Sequence, residues 1–433
     1  MAEYHVENFG CRASRADGEV IGAELRQRGL TPARDATQAD VVVANTCSVT
    51  AQADRTARAF LRRVRRQNPK ARIVVTGCYA QRAPQELAAL PGVHAVIGNS
   101  HKALVPDIAA QFVPLTALLV DDTFAHSELS MPQAAMWAET GQTRPNLKVQ
   151  DGCGNRCSFC IIPVTRGHSR SLSLDATLRH VRDFAAGGGV ELVLSGINLG
   201  RWGRDLAPQK TLDELVSTIL RETSLPRLRL SSIEPMDWTP ELLALFASQP
   251  RLARHAHLPL QSGSDTILRA MHRRYRPWHY AEKLQLIRHY LPDAAIGADV
   301  MVGFPGETEE LFEESYSFIK AQPFTYLHLF PFSARPGTPA WYLAQRSPVP
   351  ACAVADRMQR LRELIAEKNR SFREGFIGRT LPAVTLRSQR VAVSDNFLEI
   401  ALDCAVAPNQ NVCVRVTGLT ETGVTGRVED AFR

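Results

Sequence analysis

The sequence predicts an α/β chain in three parts: an N-terminal parallel α/β sheet domain, a central partial (βα)6 barrel, and a small β-barrel at the C-terminus. Three observations predict it. Strand-like apolar runs alternate with helical patterns over residues 1–115, which specifies a parallel sheet covered by helices. Six further strand-helix units follow in 144–370, enough for an open barrel. Over 371–433 the rhythm changes to short strands separated by turn residues, as in small barrels or sandwiches.

In the first domain, strand-like runs at 3–9, 40–44, 72–76 and 94–97 are followed by helical patterns at 14–28, 54–67 and 81–90. Crossovers return each strand in the same direction, so the carboxyl ends lie along one edge, where ligands of such sheets bind. Cys11, Cys47 and Cys78 each follow such an end and converge on one point if the edge is shared. Singly, each reads as an ordinary buried thiol. Residues 116–143, with Pro132 and a weak strand at 115–120, read as a connector. The central strands are expected at 147–150, 190–194, 228–232, 255–260, 296–302 and 326–332. An arginine-rich helix over 351–374 leads to tail strands at 381–386, 397–402, 412–419 and 423–428.

A chain of 433 residues is long enough for a large core and needs no disulfide staples. No secretory leader or membrane-length apolar run is evident, so a cytoplasmic location without membrane attachment is expected. The net charge of +7 is concentrated locally. Arg55, Arg58, Arg62 and Arg65 share one face of the second helix, either as a solvated face or as a surface that tracks phosphates. A second basic group runs from Arg251 to Arg276 and favours nucleic acid. Nine cysteines, an odd count in a reducing compartment, point to metal or catalysis rather than disulfides.

Cys153, Cys157 and Cys160 give the spacing C-x3-C-x2-C directly after the first barrel strand. Three thiolates can ligate three irons of a [4Fe-4S] cluster and leave the fourth open. A zinc knot needs four close ligands, and only His168 is near enough in sequence to complete one.

This spacing, with Phe159 before the last cysteine, resembles the radical SAM superfamily, in which the open iron binds S-adenosylmethionine and one electron yields a 5′-deoxyadenosyl radical. Cys160-Ile161-Ile162-Pro163, Arg166-Gly167 and Arg170-Ser171, with the N-terminal cysteines, resemble the methylthiotransferases of that superfamily. So do His257 to Ser264, Asp299 to Thr308, and Phe332-Ser333 with Arg335 to Thr338, in order along the chain. The resemblance implies two [4Fe-4S] clusters, one on Cys153, Cys157 and Cys160 as the catalytic set and one on Cys11, Cys47 and Cys78. It implies that sulfur carried on the second cluster is methylated and then transferred to a substrate carbon. Contacts to S-adenosylmethionine are expected from Ser195, Gly196, Asn198, Ser231, Glu234, Gln261 and Gly303.

Substrates of the family are an adenosine beside the tRNA anticodon or a ribosomal protein side chain. The loops at 45–55, 194–200 and 229–235 most resemble the MtaB-type branch, which methylthiolates C2 of N6-threonylcarbamoyladenosine at position 37. Isopentenyladenosine in tRNA and a ribosomal protein remain the alternatives, and outside the family a non-catalytic RNA-binding protein with structural metal. Arg12 stands where a lysine is more usual in the family, a departure that bears on substrate contacts. The tail resembles the TRAM domain, a small RNA-binding barrel. The anticodon stem-loop is expected to be gripped by this tail and by Arg55, Arg58, Arg62, Arg65, Arg166 and Arg170. A monomer served by an electron donor such as flavodoxin or ferredoxin is expected.

Overall fold

A computed structural model of the chain describes residues 1–111, 117–126 and 142–431. Its first sheet is parallel throughout, with β1 (Glu3–Asn8), β2 (Thr31–Pro32), β3 (Val41–Thr46), β4 (Arg72–Gly77), β5 (Val93–Ile97) and β6 (Ala117–Leu119) in the order β2-β1-β3-β4-β5-β6. The continuous apolar runs of β3 and β4 are those of strands buried on both faces. Val41, Val43 and Val74 pack under helix Arg12–Gln27 with Ile21 and Leu25. Val42, Ile73 and Val75 face helix Ala51–Gln67 through Phe60, Leu61 and Val64.

The sheet extends beyond residue 115. The weak strand read as connector is β6, paired in parallel with β5, because Leu119 completes an apolar face shared with Ile97. Residues 127–141 of the expected connector, including Pro132, lie outside the described residues.

The central domain has β7 (Asn146–Asp151), β8 (Arg170–Ser171), β9 (Glu191–Gly196), β10 (Arg227–Leu230), β11 (His255–His257), β12 (Ala295–Val302) and β13 (Tyr326–Pro331). Two sheets, β10-β9-β7-β8 and β11-β12-β13, are stitched by Ala253 N donating to Leu228 O at 2.9 Å and Ile233 N to His257 O at 3.0 Å. Six parallel strands thus curve from β7 to β13, and β8 lies antiparallel on the β7 edge. The barrel is open between β7 and β13. Helix Ala351–Glu374 packs against β13, where Asn369 Nδ2 donates to Thr325 O at 2.9 Å.

Because that helix runs to Glu374, the terminal barrel starts later than residue 371. It comprises β14 (Thr380–Thr385), β15 (Val391–Ser394), β16 (Glu399–Leu402), β17 (Asn411–Leu419) and β18 (Val424–Ala431), closed in the order β14-β15-β16-β18-β17. β15 has no counterpart among the expected strands, being four residues pinned by both neighbours.

The terminal barrel seals the amino-terminal mouth of the central one. Arg229, fully buried, pairs with Glu191 at 2.7 Å and donates to the carbonyls of Ser394 and Asp395 at 3.0 Å. Phe397, at a left-handed φ of 69°, places its ring 4.5 Å from that of His255 and under Arg229. Burial alone would raise the Glu191 carboxyl, but Arg229, Arg144 and Arg227 outweigh it and hold the pKa at about 2. A depressed carboxyl stabilises the fold above its unfolded value and loses that contribution as pH falls through the folded one.

The seam should therefore weaken as pH falls from about 4.5 toward 2, seen as a falling Tm that Glu191→Gln flattens in that window. Arg229→Met should cost about 3–5 kcal/mol in urea denaturation, as expected for a buried carboxylate losing a principal partner.

Candidate active site

The loop after β7 carries Cys153, Cys157 and Cys160, all half-buried. It is held by Cys153 N donating to Gly167 O and Cys160 N to Cys157 O, at 3.0 and 3.1 Å. The sulfurs accept from three sides. Asn155 N lies 3.4 Å from Cys153 Sγ, Asn198 Nδ2 3.7 Å from the same sulfur, and Arg273 Nη1 3.3 Å from Cys157 Sγ. Burial and the neighbouring thiols push the Cys160 thiol up to about 12. Clustered thiols in such a place favour a bound cation, which would take them as thiolates.

Cys11, Cys47 and Cys78 meet at the carboxyl edge of the first sheet. Gly10, at φ 142°, lies so close to Cys47 that a Cβ would stand 2.9 Å from the cysteine Cβ. Gly77, at φ 97°, passes Thr46 where a Cβ would stand 2.2 Å from its carbonyl oxygen. These two glycines let the strand ends draw together. Burial first, then the field of Cys78, pushes the Cys47 thiol up to about 12. Val49 N and Asn99 Nδ2 point at Cys47 Sγ and Cys78 Sγ, at 3.5 and 3.6 Å.

A tetrahedral zinc at about 2.3 Å from each sulfur would hold them roughly 3.8 Å apart. Among the described residues, the one such set of His, Cys, Asp and Glu ligand atoms, all within 4.8 Å of one another, is His257, Asp299 and His328. Neither cysteine trio is drawn tight enough for a single ion, whereas a cubane of four irons spreads its ligands wider.

A buried charge cluster joins the two cysteine sites. Asp17, from the first domain, meets Lys102 Nζ at 2.7 Å, Arg166 Nη2 at 3.2 Å and Lys148 Nζ. Asp151 accepts from Lys148 at 2.6 Å and from Arg166 Nη1 at 2.8 and 2.9 Å. Burial raises Asp17, and the three cations overcome this to bring it to about 2. Lys102, with one carboxylate partner, is lowered by burial, while Lys148, with two, is raised despite it. Arg166 also feels Cys78 and Cys11, so its charge favours thiolates there. On the other side Asp54 receives Arg82 at 3.0 Å and Arg335 from beyond β13. The first domain thereby bridges the open edge of the barrel.

At the strand ends, Ser195 Oγ, Asn198 Oδ1 and Ser231 Oγ are buried with no hydrogen-bond partner. Asn198 also donates to the Cys153 sulfur, so these atoms border the cysteine loop. Glu234 is bound by Arg273, and Gly196 passes Gln150 where a Cβ would come within 2.8 Å of its side-chain oxygen. Gln261 adopts φ 65° and its backbone N–H donates to Asp299 O at 2.8 Å. Gly303 donates to Glu307 at 2.7 Å and faces Val354. Unpaired buried polar atoms beside a thiol trio suit a polar ligand such as S-adenosylmethionine.

Residues 3–98 match the uncharacterized protein family UPF0004, and 147–319 match the radical SAM superfamily. The chain is 37% identical to the threonylcarbamoyladenosine tRNA methylthiotransferase MtaB of Aquifex aeolicus, over 91% of this chain and 95% of that one. It is 37% identical to the protein of that name in Bacillus subtilis, over 78% and 75% of the two chains. It is 33% identical to a tRNA-2-methylthio-N(6)-dimethylallyladenosine synthase of Sphingopyxis alaskensis, over 87% and 85%. The chain belongs to the radical SAM methylthiotransferase family. It is an enzyme that transfers a methylthio group and uses S-adenosylmethionine with a [4Fe-4S] cluster. Among solved structures, the radical S-adenosylmethionine methyltransferase TsrM of Kitasatospora setae shares the fold, at a TM-score of 0.56 and 16% identity over 78% and 76% of the chains.

Two expected RNA contacts are corrected. Arg166 is buried in the charge cluster, and Arg170 is buried with its Nη2 donating to Arg166 O at 2.7 Å, so neither offers a surface cation. Much of the second basic group is likewise engaged within the protein. Arg251 caps carbonyls of Thr223 and Leu225, and Arg273 serves Glu234 and Cys157, while Arg274 remains exposed beside the cysteine loop. On the second helix Arg55, Arg62 and Arg65 are exposed, whereas Arg58 is tied to Tyr79 and to Glu86 at 2.9 Å. Sequence reasoning placed Arg273 only in a basic group for nucleic acid and assigned no site role to Asn99, His257, Asp299, His328 or Tyr326. Strand alternation was the available signal for the barrel residues, since 255 and 257, and 326 and 328, face one side.

Asp17→Asn should lower stability by about 3–5 kcal/mol in guanidinium denaturation, because Lys102 would lose its carboxylate partner and Lys148 and Arg166 would share Asp151 alone.

Proposed function

We propose that this enzyme adds a methylthio group to C2 of N6-threonylcarbamoyladenosine at position 37 of tRNA. The observation that carries the reading is the pairing of two cysteine trios, each at the carboxyl edge of its own parallel sheet and joined through Arg166. The names of the relatives at 37% identity support the nucleoside. In this reading Cys153, Cys157 and Cys160 hold one [4Fe-4S] cluster and Cys11, Cys47 and Cys78 the second. Bound there, the clusters supply one-electron cleavage of S-adenosylmethionine and a carrier for sulfur.

The chain's own residues then have distinct work. Ser195, Asn198, Ser231, Glu234 and Gln261, with the close-approach backbone of Gly196 and Gly303, bind and orient S-adenosylmethionine. Arg273 and Asn198 donate to the thiolates and tune the cluster. The floor closed by Phe397 keeps water out of the barrel from below. Exposed Arg55, Arg62 and Arg65 on the first domain, with Arg387, Arg390 and Arg427 on the terminal barrel, follow the phosphates of the anticodon stem-loop. The base leaves its stack to reach C2 chemistry inside the barrel. Among the described residues no helix is long and apolar enough to cross a membrane. A cytoplasmic monomer reduced by flavodoxin or ferredoxin accords with this role.

Removing the gene should abolish 2-methylthio-N6-threonylcarbamoyladenosine in mass spectrometry of tRNA nucleosides. Loss of the isopentenyl counterpart instead would assign the dimethylallyl substrate, and unchanged nucleosides would refute a tRNA role. Anaerobically purified protein should hold about eight irons, Cys153→Ala and Cys78→Ala about half each, and Cys404→Ser the full number. Arg55→Glu with Arg62→Glu should weaken tRNA binding and flatten its log-log salt dependence by about 1.4–1.8. An unchanged slope would make that face an ordinary solvated one.

A further inference from the structure

Register decides which side chains of the central barrel share a face. β11, β12 and β13 run parallel, with His257 opposite Gly297, Gly297 opposite Tyr326, and Asp299 opposite His328. Ile296, Ala298, Val300 and Val302 belong to the hydrophobic core under the helices, so the alternate residues Gly297 and Asp299 point to the barrel interior. His257, Tyr326 and His328 share that side. Gly297 makes room for its neighbour, since a Cβ there would run into the Tyr326 ring.

Three ligand atoms converge on this face. Asp299 Oδ1 lies 3.5 Å from His257 Nε2 and 3.4 Å from His328 Nδ1, and the ligand atoms of all three side chains fall within 4.8 Å of one another. These separations exceed the ~2.7–3.2 Å of an N–H···O bond, and the buried His257 Nε2 has no hydrogen-bond partner among the described residues. They match a shared ion instead. Nitrogen and oxygen ligands about 2.1 Å from a tetrahedral centre stand roughly 3.4 Å apart. His257 is oriented for such a role by Ser232, whose Oγ is 2.6 Å from Nδ1; an Nδ1–H donated to that hydroxyl turns the Nε2 lone pair toward Asp299. Burial holds the imidazole down at about 4, so it is neutral near pH 7, as a metal ligand must be. Tyr326 braces both rings, its centroid 5.9 Å from that of His257 and 5.4 Å from that of His328, with its hydroxyl 2.6 Å from His255 Nε2.

We propose that His257, Asp299 and His328 bind one divalent transition-metal ion inside the central barrel, separate from the iron of the two cysteine trios. Two imidazoles and a carboxylate suit zinc or iron(II), whereas magnesium and calcium take oxygen ligands. Three protein ligands leave at least one position for an oxygen donor, as in sites that act on a bound molecule. His328 is half exposed, which gives the ion a way in. The inference goes beyond the proposed function, which draws its metal from the cysteine trios alone, and it holds whichever nucleoside is modified.

The test uses the anaerobically purified full chain without tRNA, passed over a chelating resin until elemental analysis finds no metal but iron. It is titrated with Mn2+ while the EPR signal of the aqueous ion is followed. Manganese stands lowest in the affinity order of these metals and prefers oxygen and nitrogen to thiolate, so it probes this set without competing for the cysteines. One Mn2+ per chain should bind, and equimolar Zn2+ should release it. Asp299→Asn and His328→Gln should each weaken binding by about 100-fold or more, and Ser232→Ala, which loses only the orienting hydroxyl, by about tenfold. An iron content equal to that of the unaltered protein separates loss of this ion from loss of the fold, and His328→Gln, at a half-exposed position, carries the test if Asp299→Asn does not fold. A chain that shows no saturable Mn2+ site would overturn the proposal. So would binding that persists unchanged in His328→Gln, which would move the ion to surface carboxylates such as Glu309 and Glu310.

Discussion

The architecture depends on the buried charge cluster of Asp17, Lys102, Lys148, Asp151 and Arg166. Three cations and two carboxylates, taken from the first domain, the first barrel strand and the segment after the cysteine loop, are out of water together. Such groups are costly to bury singly and tolerable only as a set, so the cluster admits one relative placement of the two domains. That placement sets Cys11, Cys47 and Cys78 against the loop of Cys153, Cys157 and Cys160. The surplus positive charge on the Arg166 side faces the thiols, where a thiolate set would complete the balance.

A second ionic contact, Asp54 with Arg82 and Arg335, fastens the first domain near the far edge of the barrel. An open parallel barrel leaves strand edges and an interior exposed. Here the first domain spans the side opening, and the terminal barrel closes the lower mouth with Phe397. All three parts of the chain thus border the central barrel. An enzyme that generates a reactive radical requires such enclosure, since water and stray hydrogen donors must be kept away.

Charge is divided between two uses. Arginines such as Arg166, Arg170 and Arg229 are internal struts, bonded to carboxylates and carbonyls, while Arg55, Arg62, Arg274, Arg387 and Arg390 remain exposed. The net charge alone does not distinguish the two populations. Only the exposed ones contribute a field that long polyanions sense.

From its sequence alone the chain's strand-helix rhythm, its cysteine spacing and the short-stranded tail were legible, because they follow from local periodicity and from the ligand number that iron requires. Apart from the two-residue β2 and β8, which had no expected counterpart, the strands of the first two domains lie close to where those periods put them, β12 at 295–302 against an expected 296–302, for example. The short β15, the attachment of β6 to the first sheet and the end of the long helix were not legible, since each is decided by pairing with distant residues. Tertiary structure alone decided the fate of each arginine. Arg166 lies six residues past Cys160 and reads as a basic surface residue, yet its environment is set by Asp17, nearly 150 positions earlier in the chain. A side chain's charge is written in the sequence, but whether that charge meets water or a carboxylate depends on which elements fold over it.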